Sequence, residues 1–391
     1  MEVKQINSIV NNIANQSYGK NAVQITDLTG LISYGKKVLS TDKDKELFVK
    51  SLADIIIQTE IQNKEYSPAT RRMLRNVHEY GAAVQKVYIA PETASENDAW
   101  NIQEGGTLGP GTIHLPTVEA KIFESRGTWK YTVCIPDYQM NSAFTSYDGV
   151  AAFISAVYTS IKTSMAIAIE NLVNLAQANY MGELFIKEKE LKKGTRAVNL
   201  LKAYNTLTGS SLTRDNCMRD TAFLKYAGKE IKKRLEQMEK TNVIFNNDGK
   251  VRFTNKEDIN VLFLSEYAAA NETYLESDTY HNELIKLPGY TSVPYWQGLG
   301  TDGGVDNTSK IHITTSSGTV VEQVGIIGLV YDTECMGVLF DHRKSTSYVD
   351  PDKDITKIWT KATTGYFNDL GEQAILFYVA DDAEDFVTKQ A

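Results

Sequence analysis

The segment SYDGVAAFISAVYTSIKTSMAIAIENLVNLAQANYM, residues 146–181, decides the fold because it carries the longest regular pattern in the chain. Its apolar residues recur at intervals of three and four, which is the spacing of one face of an α-helix. Ser146 is placed to cap the first turn, and Gly182 is placed to end the helix. We therefore predict a helix of roughly 35 residues, about 50 Å long. A helix of this length is unusual for an enzyme domain and suits a central spine.

Before this helix, the pattern changes to the period-two alternation of β-strands. One alternating stretch covers 84–90, a second covers Trp129–Val133, and a glycine-rich polar passage lies between them at 104–111. We predict that the two stretches pair as a long hairpin over residues 82–140. Few residues in its middle can form a core, so the hairpin projects and needs a partner surface.

The first 81 residues predict short amphipathic helices joined by polar connectors. Val3–Ile13 and Leu47–Ile56 each place their apolar residues on one helical face. Two such helices cannot form a core alone. They either pack against the rest of this chain or form an arm that reaches a neighbouring molecule.

The segment after the long helix predicts a mixed α/β unit followed by a strand-rich return. Residues 221–240 have a helical pattern, and 243–245 and 261–264 are short apolar runs typical of strands. The return predicts strands at 325–332, 336–340, 357–368 and 374–380.

Composition excludes several classes of protein. The net charge is −8 with an isoelectric point near 5.4, so the chain lacks the basic excess of a protein devoted to gripping nucleic acid. Its three cysteines include no CxxC pair, which argues against a disulfide framework or a zinc site. No signal peptide and no run of about 18 apolar residues is visible. We predict a protein that is made and kept in a cytoplasm.

A search for catalytic and ligand-binding motifs predicts no catalytic residue, cofactor or metal. The five histidines lack metal-ligand spacing, and Asp350, Asp352 and Asp354 lack the glycine and closing glutamate of a calcium loop. Gly298–Gly303 fits GxGxxG, but no helix follows to receive a phosphate. A nucleotide-binding enzyme using this loop is kept as a remote alternative.

Three passages carry a resemblance to a known family: TVEAKIFESRGTWKY (117–131), TYLESDTYHNEL (273–284) and LVYDTECMGVLFD (329–341). With the order of elements described above, the chain resembles tailed-phage major capsid proteins of the Hong Kong 97-type fold. It is most similar to those of small podoviruses related to phage phi29. An encapsulin-like nanocompartment shell protein, which shares this fold, is the first alternative.

The resemblance implies an α+β fold divided into five segments. These are an N-terminal helical arm (1–81), an E-loop β-hairpin (82–140), a peripheral domain with the spine helix (141–199), an axial domain (200–324), and a return to the peripheral domain with C-terminal strands (325–391). The implied function is self-assembly into an icosahedral or prolate shell around a phage double-stranded DNA genome, without enzymatic activity.

The implied partners are further copies of the chain in pentamers and hexamers, a separate scaffolding protein, a portal protein, and packaged DNA held by weak non-specific contact. No membrane is involved. Assembly is expected in the bacterial host cytoplasm, and the final location is the virion capsid. Five residues of the projecting hairpin are expected either to contact neighbouring subunits or to pack within the hairpin: Trp100, Glu104, Thr107, His114 and Trp129.

Overall fold

The computed structural model of the chain describes an α+β protein. The described residues are 3–19, 24–62, 74–75, 83–90, 118–124, 127–191, 194–276, 289–297, 308–315, 318–381 and 387–390. They fall into two compact units. Unit 1 comprises 1–82, 125–173 and 338–366, and unit 2 comprises 83–124, 174–337 and 367–391.

The predicted long helix is present and is longer than expected. The first five helices are α1 (Val3–Tyr18), α2 (Leu28–Val38), α3 (Asp42–Gln62), α4 (Asp137–Ala143) and α5 (Tyr147–Leu191). The Gly149 amide donates to Ser146 Oγ at 3.0 Å, which confirms the predicted cap. The prediction that Gly182 ends the helix is wrong, because α5 spans 45 residues and continues past Gly182 to Leu191.

The reason for Gly182 is packing rather than helix termination. A Cβ at this position would lie 2.8 Å from Ile313 Cγ1 and would overlap Ile313 Cδ1. Glycine here therefore lets the strand that carries Ile313 approach the helix closely. A glycine inside a helix costs stability relative to alanine, so the close approach must offset that cost.

The N-terminal helices pack against their own chain. Val10 and Ile13 of α1, Leu31 and Tyr34 of α2, and Phe48 of α3 are buried in the core of unit 1. In that core, the ring centroids of Phe48 and Phe144 lie 5.3 Å apart in an edge-to-face arrangement. Of the two alternatives for this region, packing within the chain is the one that the structure shows.

Fourteen strands appear in the described part of the chain. They are β1 (Leu74–Arg75), β2 (Ala83–Ile89), β3 (Val118–Glu124), β4 (Gly127–Pro136), β5 (Ala197–Asn199), β6 (Ile259–Leu264), β7 (Thr291–Val293), β8 (Ile311–Thr314), β9 (Thr319–Gln323), β10 (Ile326–Asp332), β11 (Met336–Asp350), β12 (Ile355–Asn368), β13 (Ala374–Tyr378) and β14 (Val387–Gln390).

Unit 1 contains a four-stranded sheet that corrects the predicted hairpin. Its order is β1-β11-β12-β4, and β4 runs antiparallel to β12 from Gly127↔Thr364 to Pro136↔Ile355. The sequence pattern predicts that Trp129–Val133 pairs with residues 84–90. This prediction is wrong, because Trp129–Val133 pairs with β12. The partner of β2 is instead β3, from Ala83↔Glu124 to Ile89↔Val118.

Unit 2 is built on a five-stranded sheet of order β5-β13-β10-β6-β7. Among the described residues of this unit, four α-helices follow α5, and a short π-helix, Glu272–Glu276, continues the last of them: α6 (Leu200–Thr208), α7 (Arg214–Cys217), α8 (Thr221–Met238) and α9 (Ser265–Asn271). The predicted helix at 221–240 is thus confirmed, and its Phe223, Ile231 and Met238 are buried in the core. Strands β14, β9 and β8 form a small third sheet in this unit.

The predicted strand-rich return is confirmed, whereas the prediction of a short strand at 243–245 is wrong. Strands β10, β11, β12 and β13 cover the four predicted C-terminal stretches. Residues 243–245 are not a strand, because Asn242 forms only an isolated bridge with Arg252. Phe245 is buried while Val243 and Ile244 are exposed, so the apolar run belongs to an irregular loop.

Candidate assembly interface

The antiparallel pair β2–β3, called the ribbon below, presents two chemically different faces. Opposite residues of an antiparallel pair share a face, so the register assigns each side chain to one side. One face carries Lys86 and Tyr88 with Lys121 and Phe123. The other face is mainly aliphatic.

The aliphatic face of the ribbon is exposed. Its four large side chains keep more than half of their surface accessible: Val87 57%, Ile89 60%, Val118 55% and Ile122 62%. Scattered exposed apolar residues are normal on a protein surface, but a contiguous set on one sheet face marks an interaction site. Among the described residues, no third strand pairs with the ribbon, so both of its edges are open there.

The opposite face of the ribbon is held to unit 2 by ion pairs. Lys86 and Lys121 are cross-strand neighbours, and both reach Asp369. Lys121 Nζ lies 3.1 Å from Asp369 Oδ1, and Lys86 Nζ lies 3.5 Å from Asp369 Oδ2. The Asp369 side chain is only 3% exposed. A buried carboxylate between two lysines removes the repulsion that these two charges would otherwise exert.

The protonation equilibria of this cluster follow from burial and charge. Burial acts to raise the pKa of Asp369, but the ammonium groups of Lys86 and Lys121 and the Gly371 amide outweigh it, so that pKa lies below its ordinary value. Glu372 lies in the same cluster, 3.4 Å from Arg252 Nη2. Burial raises the pKa of Glu372 despite this cation.

An aromatic contact extends the anchor along the ribbon. Lys250 Nζ and the Arg252 guanidinium lie 4.7 and 4.3 Å from the ring centroid of Tyr88. Lys250 also pairs with Glu119, the cross-strand neighbour of Tyr88. Ion pairs and cation–π contacts therefore fix one face of the ribbon and leave its aliphatic face directed to solvent.

The structure tests the location of only one of the five proposed contact residues. Trp100, Glu104, Thr107 and His114 lie outside the described residues. Trp129 lies on β4 opposite Ala362, where it is half-buried and contacts Tyr131 edge-to-face at 6.5 Å. It therefore belongs to the sheet of unit 1 and not to the ribbon.

The aliphatic face of the ribbon was missed at the level of sequence. The signal was available in VEAKIFE, residues 118–124, where Val118, Ala120 and Ile122 alternate with charged or aromatic residues. That alternation predicts a strand but does not reveal which of its faces is buried. The buried acid Asp369 could not be assigned either, since it lies 248 residues from Lys121.

No group of His, Cys, Asp or Glu in the described ranges is arranged to hold a metal ion. Asp350 of the acidic triple pairs with Lys357 at 2.9 Å. The GxGxxG loop at 298–303 lies outside the described residues. Within the part of the chain that the structure describes, no helix is long and apolar enough to cross a membrane.

Comparison with known proteins gives a consistent result. The family model described as "Phi29-like phage major capsid protein" matches residues 6–378. Among curated proteins, none matches the chain.

Solved structures similar to the chain include capsid proteins of three phages. The capsid structure of Staphylococcus phage Andhra has 8% identity and a TM-score of 0.48, covering 79% of this chain and 83% of that one. That of cyanophage P-SCSP1u has 12% identity and a TM-score of 0.44, covering 82% and 90%. The mature capsid of bacteriophage PhiM1 has 10% identity and a TM-score of 0.40, covering 82% and 89%.

Proposed function

The chain belongs to the family of Phi29-like phage major capsid proteins, and from this premise we propose that the ribbon supplies a contact between neighbouring subunits of the shell. The chain is a structural virion protein with the α+β fold of Hong Kong 97-type capsid proteins, and its family is not enzymatic. A shell is built by association of many copies of this chain. Neither the nanocompartment nor the nucleotide-binding alternative gains support.

The observation that carries the proposal is the contrast between the two faces of the ribbon. Lys86 and Lys121 fix one face through the buried Asp369, while Val87, Ile89, Val118 and Ile122 remain exposed on the other. Burying a half-exposed aliphatic side chain contributes about 1–2 kcal/mol. Four such side chains would give a contact of several kcal/mol, which is enough for one of many weak contacts in a closed shell.

The arrangement of the copies in the shell and their specific partners are also part of the proposal. We propose that the copies form pentamers and hexamers, that a separate scaffolding protein and a portal protein take part in assembly, and that the shell holds double-stranded DNA through weak contacts. Assembly takes place in the host cytoplasm. We also propose the division into N-terminal, E-loop, peripheral and axial segments, with residues 127–136 in the sheet of unit 1 and not in an E-loop hairpin. Inter-subunit contacts made by Trp100, Glu104, Thr107, His114 and Trp129 stay part of this proposal.

Electron microscopy of the purified chain, alone and co-expressed with neighbouring genes, tests the proposal. We expect closed shells, or rings of subunits, once the scaffolding protein is present. The double variant Val87→Glu/Ile122→Glu should abolish them while the subunit stays folded. Leu207→Glu is the matched control, because Leu207 is an even more exposed aliphatic residue of unit 2 and belongs to α6, not to the ribbon strands.

Two results would contradict the proposal. If the double variant assembles as well as the control, the aliphatic face is not a contact between subunits. If the unmodified chain stays monomeric under every condition, shell assembly itself is in question.

A further inference from the structure

The exposed face of the four-stranded sheet in unit 1, called the lysine face below, carries a cluster of lysines although the chain as a whole is acidic. In β4, residues 128, 130, 132 and 134 are exposed while the alternate positions are half-buried or buried. The register places Lys130 opposite Lys361 and Cys134 opposite Lys357. The face therefore combines three lysines with the threonines at 128 and 132.

Lys130 and Lys361 are a like-charge pair that folding does not explain. They are direct cross-strand partners, and both are exposed. Like charges directly opposite each other destabilise a sheet. Among the described residues, no carboxylate lies within ion-pair distance of either lysine. Lys357, the third lysine of the face, is paired with Asp350.

The ribbon provides an internal comparison. It contains a second direct cross-strand pair, Lys86 and Lys121, and there the buried Asp369 contacts both ammonium groups. Among the described residues, acids reach the lysine pair of the ribbon, and none reaches Lys130 or Lys361. An anion from outside the subunit would neutralise this second pair as Asp369 does the first.

We propose that the lysine face binds the phosphate backbone of packaged double-stranded DNA without sequence specificity. This inference rests on the proposed function, in which the shell encloses DNA. Lysine and threonine side chains are the usual donors to phosphate oxygens. Because the chain as a whole carries −8, its net charge repels DNA, and a local basic face favours the orientation in which that face meets the genome.

The composition of the face favours DNA over an acidic protein partner. Protein interfaces are anchored by large apolar side chains that become fully buried. On β4 the exposed positions on either side of Lys130 are Thr128 and Thr132, and neither is aliphatic. The aromatic pair on the same sheet, Tyr348 and Trp359, stacks ring on ring at 6.3 Å with an interplanar angle of 24°, and Tyr348 keeps 49% of its surface exposed. A few lysines on each subunit bind weakly, and many identical subunits together hold the genome by multivalency.

Binding of a fluorescent 30-base-pair duplex to the full-length, unassembled chain over a range of salt concentrations tests the proposal. The Lys130→Gln/Lys361→Gln variant should bind at least tenfold more weakly at low salt. Its slope of log affinity against log salt should fall by about two, one for each lost phosphate contact. Lys225→Gln/Lys240→Gln removes the same charge from exposed positions of unit 2 and should change neither quantity.

Cys134 offers an independent readout at the same face. It is the exposed cysteine of the three, whereas Cys217 and Cys335 are buried, so a thiol reagent labels it selectively in the folded protein. A photoactivatable azidophenacyl group on Cys134 should cross-link to the duplex. The same label on an introduced cysteine at Lys240, in a Cys134→Ser background, should not.

The outcomes separate this inference from the proposed function. Equal loss of DNA affinity in the two lysine variants would overturn the inference, because binding would then depend only on total charge. Binding of polyglutamate, but not of DNA, that is lost in Lys130→Gln/Lys361→Gln would also overturn it, in favour of an acidic protein partner. In both cases, normal shell formation by the variant in electron microscopy would leave the proposed function intact.

Discussion

The substitution Asp369→Asn tests the ionic anchor of the ribbon with nearly no change of shape. The Gly371 amide, which donates to Asp369 Oδ1 at 2.9 Å, can still donate to the asparagine amide oxygen. Only the negative charge between Lys86 and Lys121 is lost. The two ammonium groups then repel each other across the ribbon.

The expected cost follows from the geometry. At an effective dielectric constant of about 20, each ammonium group at 3.1 or 3.5 Å interacts with the carboxylate by about 5 kcal/mol before desolvation is subtracted. Breaking a buried pair typically costs about 3–5 kcal/mol. Lys121 is partly exposed, and Asp248 remains as its second acid. We therefore expect a loss of about 2–3 kcal/mol in the free energy of unfolding.

The stability that ionised Asp369 contributes should depend on pH, and it should fall as the pH is lowered. The folded pKa of Asp369 is lowered, so its contribution to stability is present above the unfolded value of about 4 and is lost as pH falls through the folded pKa. Glu372 acts oppositely, because its raised pKa makes its ionised form costly at neutral pH. The difference in unfolding free energy between Asp369→Asn and the unmodified chain should therefore have its full size at pH 7 and shrink below about pH 4.

Denaturant unfolding measures the stability, and hydrogen exchange of residues 83–89 and 118–124 reports release of the ribbon. The matched control is Asp215→Asn, since Asp215 is 86% exposed and pairs with Arg214 at 3.6 Å; its cost should stay below about 0.5 kcal/mol. A cost for Asp369→Asn as small as that of the control, or unchanged exchange in the ribbon, would refute the anchoring role.

Three further predictions follow from the packing. Ile122→Ala should leave the unfolding free energy within about 0.5 kcal/mol and raise the subunit concentration needed for assembly roughly 5- to 30-fold, measured by light scattering with Leu207→Ala as control; an unchanged threshold would contradict the ribbon contact. Gly182→Ala should lower the unfolding free energy by about 1 kcal/mol because its Cβ meets Ile313, whereas Gly228→Ala in α8, where nothing lies within 4 Å, should raise it by about 0.5–1 kcal/mol; equal effects in thermal unfolding would disprove the packing argument. Lys361→Thr should leave stability unchanged or raise it by about 0.2–1 kcal/mol, since it removes the repulsion from Lys130; a clear loss in urea unfolding would show that the pair supports the fold.

Local patterns in the sequence were sufficient for the helices and most strands. The spacing of apolar residues in 146–181 predicts α5, and Ser146 is the cap that the helix uses. The runs at 325–332 and 374–380 predict the adjacent strands β10 and β13. These features depend on residues a few positions apart, where periodicity and capping chemistry operate. The family resemblance also follows from the order of these elements and is confirmed.

Tertiary structure alone decided which segments meet. Residues 127–136 alternate as a hairpin strand would, but they pair with 355–364, more than 200 residues away. Gly182 is a residue type that commonly ends helices, but here it lies inside α5 and makes room for Ile313. Lys86 and Lys121 form a cross-strand pair like Lys130 and Lys361, but a buried acid from a distant turn reaches only the first pair among the described residues. Pairing and charge neutralisation across such separations depend on the packing of the whole unit, which no local pattern encodes.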